Sequence, residues 1–168
     1  MGASHEYRAT VIWQRQPDEA FRDNRYHRGH DWHFDGGVIV PASSSPQVVP
    51  LPLSRAEAVD PEEAFVAALS SCHMLFFLSY TAQAGLVVER YEDPALGWMG
   101  RNEAGAIAML KVALRPHIAW GGSPPAPGQV EALHERAHAA CFIANSVRTE
   151  VVVEPAHRAV EAGDARRT

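Results

Sequence analysis

The chain has 168 residues, 46% of them hydrophobic and 21% charged, and a formal net charge of -5. That length suits one domain with a substantial core, and the apolar content separates it from disordered chains, which cannot bury enough surface to offset ordering entropy. An acidic balance without a Lys/Arg cluster offers no basic face for nucleic acid. Cys72 and Cys141, 69 positions apart and outside any C-x-x-C pair, do not make the disulfide framework of a small secreted domain. They predict a reducing, cytoplasmic setting. M-G-A-S-H-E at the amino terminus carries neither the basic and apolar regions of an export signal nor the Ser/Thr at position six that myristoylation needs.

In chain order, Glu6 to Trp13 is rich in aromatic and β-branched residues and predicts a first strand. A polar stretch from Gln14 to His30 follows. In W-H-F-D-G-G-V-I-V, Asp35, Gly36 and Gly37 separate two short apolar runs, so Trp32–Phe34 and Val38–Val40 are expected to pair as a hairpin. P-A-S-S-S-P-Q-V-V-P-L-P, with four prolines and three serines, reads as an exposed connector too short to separate domains. Asp60 then stands before Pro61, Glu62 and Glu63: an N-cap, a proline at the first helical position, and acids at the positive helix end. A helix should run from there through Cys72 to about Ala84, with Gly85 as the stop.

From Ala64 to Val88 no Asp, Glu, Lys or Arg occurs, a length that could cross a bilayer. The polar residues within it, Ser70, Ser71, His73, Ser79, Thr81 and Gln83, favour a fully enclosed core helix over a membrane span. Two long strands, Val87–Met99 and Ala106–Ile118, should follow, turning near Asn102–Gly105. A second helix is expected from about Gly128 to Ile143, and T-E-V-V-V-E as a last strand, with a frayed tail over 156–168. The pattern is that of a single α+β domain over residues 1–155. An apolar helix with no polar face needs cover on all sides; a second chain would supply it.

Cys72, in A-A-L-S-S-C-H-M-L-F-F, is a candidate nucleophile, because a thiolate attacks O–O bonds well. Free cysteines are also commonly packed as small hydrophobes. Cys141 matters to this chemistry only if the fold brings it to Cys72, since a sulfenic acid condenses with a nearby thiol.

The segments P-E-E-A-F-V-A-A-L-S-S-C-H and, about seventy residues later, H-E-R-A-H-A-A-C-F-I-A-N-S-V resemble the OsmC/Ohr family of peroxidases. The resemblance covers the chain from the first strand to about Glu154. It implies an OsmC-like fold, with antiparallel sheets wrapped around long central helices in an intertwined homodimer. It also implies reduction of organic hydroperoxides or hydrogen peroxide, with Cys72 peroxidatic, Cys141 resolving it as a disulfide, and an external dithiol, such as a lipoyl group, as reductant. No prosthetic group is implied. The family sets an arginine by the thiolate and a glutamate that holds the arginine; Glu62 matches the glutamate, and Arg28, in R-Y-H-R-G-H, is the first choice for the arginine, with Arg25 second. An adjacent guanidinium does favour a thiolate. This sequence departs from the glycine-flanked arginine loop of the organic-hydroperoxide branch. Ten residues of straight helix span roughly 15 Å, so Glu62 and Cys72 share a small site only if the helix breaks or a second subunit contributes.

Rival readings stand beside this one. His134-Glu135-Arg136-Ala137-His138 satisfies H-E-x-x-H, and Cys141 extends the stripe, so a zinc-dependent hydrolase or a metal-binding protein is the alternative. Arg136 puts a cation inside a motif that zinc hydrolases keep uncharged. His27, His30 and His33 form a second candidate cluster. His73 cannot form a dyad with its neighbour Cys72, because adjacent helix positions point about 100° apart. A non-enzymatic binder of a hydrophobic ligand is the third reading.

Overall fold

In the second half of this chain Pro94 and Pro116 interrupt the apolar runs, because each lacks the amide hydrogen a ladder needs. In the computed structural model, residues 5–155 are described, and the expected tail over 156–168 lies outside them. The chain divides into two compact units, one up to Ala64 and one from Phe65 onward.

The first unit holds an antiparallel sheet of β1 (Ala9–Ile12), β2 (His30–Phe34) and β3 (Ile39–Ala42), in that spatial order. Val11 faces Trp32, and Trp32 faces Val40. The predicted hairpin forms at Asp35–Gly37, where Gly37 takes φ 84° and donates its amide to the Phe34 carbonyl at 3.0 Å. The segment between β1 and β2 is ordered by aromatic rings: Phe21 lies 4.7 Å from Tyr26, Trp13 meets Tyr26 edge-on at 5.3 Å, and Trp13 Nε1 donates to the His27 carbonyl at 2.9 Å. The connector after β3 is anchored by buried Ser43, whose Oγ accepts the Arg55 amide at 3.0 Å.

Helix α1 (Pro61–Gln83) begins as the sequence predicts. The Glu63 amide donates to Asp60 Oδ1 at 2.8 Å and Glu63 Oε2 accepts the Asp60 amide at 3.3 Å, a reciprocal cap. The helix ends before Gly85, which takes φ 74°. Its fully buried residues are Leu69, His73, Phe77 and Thr81, a stripe at every fourth position. Within one chain only this stripe is fully covered, and Leu75 is 61% exposed, so full enclosure of the helix would need cover from outside the chain.

In the second unit the two long strands predicted from the sequence are each cut in two. Val87–Met99 becomes β4 (Val88–Glu92) and β5 (Leu96–Arg101), and Ala106–Ile118 becomes β6 (Ile107–Leu114) and β7 (His117–Trp120). The breaks fall at Pro94 and Pro116. Nesting is preserved, with β5 paired to β6 around the Asn102–Gly105 turn and β4 paired to β7 outside it, so the four strands form a ribbon divided into two sheets at a corner. Asp93 holds the corner: Oδ1 accepts the Arg115 amide at 2.6 Å and Oδ2 accepts Ser70 Oγ–H of α1 at 2.5 Å. The last strand, β8 (Glu150–Val153), joins β6 in parallel, a pairing that an all-antiparallel expectation lacks.

Helix α2 (Pro127–Ala140) is shorter than expected, for it ends at Cys141 and a 3-10 turn follows at Ala144–Ser146. Two apolar clusters flank the middle of α1. Leu69 packs with Val112 and Leu114, Phe77 with Leu133 and Ala137 of α2, and Cys72 and His73 lie on α1 between them. The α+β class read from the sequence is the class of the structure.

Candidate active site

The middle of α1 and the end of α2 bring the two cysteines together. Cys72 is partly exposed and Cys141 is buried; both are free thiols, near enough that Cys72 acts on the titration of Cys141. Cys141 caps α2 with non-helical backbone (φ -63°, ψ 110°), its amide donating to the His138 carbonyl at 3.2 Å. The Asn145 amide returns to the Cys141 carbonyl at 3.0 Å, and the Ala144 amide donates to Cys141 Sγ at 3.4 Å. Burial pushes the Cys141 thiol up to about 11; the contact with Cys72 acts in the same direction, against the amides of Ala144 and Ile143. At neutral pH Cys141 therefore keeps its proton. Phe142, 69% exposed, stands next in the chain and meets Phe76 of α1 edge-on at 5.0 Å. Of the apolar residues near Cys72 in sequence, Leu69 is core and Leu75 faces outward.

Beside the thiols lies a pair that the sequence did not disclose. His73 Nε2 and His134 Nδ1 are 3.0 Å apart, with both rings buried, at 1% and 3% exposure. The rings are nearly parallel at 8° with centroids 5.3 Å apart, too far for face contact, so they meet edge to edge through their nitrogens. Phe77 covers the His134 face at 4.2 Å. Burial, reinforced by His138, lowers the pKa of His73 to about 4; burial, reinforced by His73, lowers that of His134 to about 3. Both are neutral at physiological pH, so one ring can donate and the other accept. Among the described residues, His73 Nδ1, His134 Nε2 and His138 Nδ1 find no hydrogen-bond partner.

This arrangement bears on the metal reading. His134 turns inward to His73, Glu135 and Arg136 face outward, and Arg136 lies 4.3 Å over the Tyr80 ring. Among the described residues, no three His, Cys, Asp or Glu side chains come together as a ligand set. His27, His30 and His33 are likewise dispersed: His27 Nδ1 pairs with Glu19 at 2.7 Å, and His30 bridges the Arg28 carbonyl at 2.8 Å and Trp32 Nε1 at 2.9 Å. His33 lies on β2 opposite Thr10.

The remaining sequence candidates belong to the first unit. Arg28 donates through Nη1 to the Tyr26 carbonyl and through Nη2 to Asn24 Oδ1 at 2.9 Å, with its guanidinium 3.7 Å over the Tyr26 ring. The Arg25 amide donates to Asp23 Oδ1 at 3.1 Å. Glu62 is half-buried in the first turn of α1 and has no salt bridge among the described residues. The helix does not break between Glu62 and Cys72.

The signal for the histidine pair was present in part: His134, His138 and Cys141 lie on one stripe of α2. Its other half, His73, is 61 positions away, and no local pattern joins them.

An OsmC-like protein family model matches residues 54–156. Among solved structures, an OsmC-like protein of unknown function from Vibrio cholerae is 54% identical, with a TM-score of 0.89, over 91% of this chain and 100% of that one. An organic hydroperoxide resistance protein from Elizabethkingia anophelis, with thiocyanate bound, shares the fold at 18% identity and a TM-score of 0.67, covering 92% of this chain and 96% of that one. The organic hydroperoxide resistance protein OhrB of Bacillus subtilis does so at 14% identity and 0.64, covering 90% and 98%. No curated protein matches the chain. With the family pattern spanning both cysteine-bearing helices, the chain belongs to the OsmC-like protein family.

Proposed function

We propose that this protein is a thiol-dependent peroxidase acting on organic hydroperoxides or hydrogen peroxide. The observation that carries the reading is the contact between Cys72 and Cys141, one partly exposed and the other buried and protonated. Cys72, the accessible sulfur, attacks the distal peroxide oxygen as thiolate; the O–O bond breaks, an alcohol or water leaves, and Cys72 becomes a sulfenic acid. The Cys141 thiol then attacks the Cys72 sulfur, forming the disulfide and releasing water. An external dithiol reopens the bond by exchange and is itself oxidised, which suits a reducing cytoplasm. Arg28 and Glu62 take the supporting roles that the resemblance gives them. Because Asn24 and Tyr26 already occupy the Arg28 guanidinium, its thiolate role requires those contacts to be exchanged.

The test is peroxide consumption with a dithiol reductant. Cys72→Ser should abolish it, and Cys141→Ser should leave activity only with small monothiols. Full activity in Cys72→Ser would end the proposal.

A further inference from the structure

We propose that the His73–His134 hydrogen bond is a positioning clamp that fixes how α1 and α2 meet, and thereby sets how readily Cys72 and Cys141 form and release a disulfide. The inference rests on the redox pairing of these two cysteines, but not on the identity of the oxidant.

The clamp joins the same two helices as the thiols. His73 follows Cys72 directly, and His134 lies seven positions before Cys141, two turns along the same α2 face. The other contacts between these helices near the thiols are apolar, Phe77 with Leu133 and Ala137; Phe76 meets Phe142 just past the end of α2, and Arg136 lies over the Tyr80 ring farther along α1. Apolar contacts are non-directional and let helices slide without abrupt loss. A nitrogen pair at 3.0 Å in a dry interior does not, because a small shift leaves two buried polar groups without partners. Disulfide geometry is equally narrow, with α-carbons typically about 4.4 to 6.8 Å apart. A directional bond next to a distance-sensitive one is what holding two sulfurs ready for bonding requires. Phe77, stacked on His134, keeps that ring in plane for the bond.

In the balanced exchange, two protein thiols and one glutathione disulfide give the protein disulfide and two glutathione thiols, so the equilibrium constant reports how well the two sulfurs are placed. The experiment titrates the full chain in glutathione redox buffers at pH 7.5 and quantifies the Cys72–Cys141 disulfide by mass spectrometry. His73→Phe and His134→Phe should lower that constant about tenfold. His73→Gln and His134→Asn, which keep a polar atom near the positions of Nε2 and Nδ1, should return it to within about threefold of wild type. The paired His73→Phe/His134→Phe variant removes both polar groups together and so protects folding; it should also show the tenfold loss while its thermal midpoint stays near that of wild type. Phenylalanine variants that fold and keep the wild-type exchange constant would overturn the clamp alone. A wild-type chain that stays dithiol under oxidising buffers would overturn the clamp and the resolving role of Cys141 together, whereas peroxide consumption is read separately.

Discussion

His73 and His134 remain neutral in the folded chain because burial opposes their charge, whereas in the unfolded chain each titrates near 6.5. Below pH 6.5 the unfolded state therefore binds protons that the native state refuses. The stability these rings contribute is complete above that pH and declines as pH falls toward the folded values of about 4 and 3. One histidine protonated only in the unfolded chain lowers stability by about 2 kcal/mol between pH 8 and pH 5. Urea unfolding at those two pH values should show at least that loss, and the paired phenylalanine variant should show less of it. Equal pH sensitivity in both proteins would place the acid response elsewhere. His138, on the same helix as His134, adds a coulombic effect that makes protonation of His73 harder still.

At the scale of elements, the corner of the ribbon depends on one side chain. Asp93 binds α1 through Ser70 and the β6–β7 link through the Arg115 amide. Asp93→Ala should cost roughly 2 to 3 kcal/mol, since it removes two charge-assisted bonds, and should lower the urea midpoint with little change in slope. An unchanged midpoint would mean that the prolines alone make the bend. Those prolines also explain what the sequence revealed and what it did not. Start and stop of α1 were legible because Asp60, Pro61 and Gly85 act within a few residues of where they stand. The apolar runs around Pro94 and Pro116 were legible as strand but not as two strands, since alternation continues across the breaks. α2 ends where Cys141 takes non-helical backbone and the Ala144 and Asn145 amides turn back onto it, a local turn that composition does not announce, so composition carried the helix on to Ile143. At the site, the cysteines announced themselves by residue type, and the histidine pair, made across two helices, did not.

For the molecule as a whole, α1 raises the question of what covers its outer face. The helix has the length and composition of a membrane span, with 22% of its most apolar window buried, yet it is the element that carries the thiol. We propose a homodimer in which a second copy covers that face, in keeping with Leu75 at 61% and Phe142 at 69% exposure. Sedimentation equilibrium should return twice the mass of one chain, and Leu75→Glu should shift the distribution toward monomer. A wild-type protein that sediments as a single chain at micromolar concentration would refute the dimer.

The early end of α2 matters for the disulfide cycle proposed above. A sulfur mounted inside a helix can approach a neighbour only by bending the rod that carries it. Cys141 instead sits where the backbone has left helical geometry, at ψ 110°. Bond closure and release can then be absorbed by a few torsions between residues 141 and 143, a hinge that cycles while the rod behind it keeps its form.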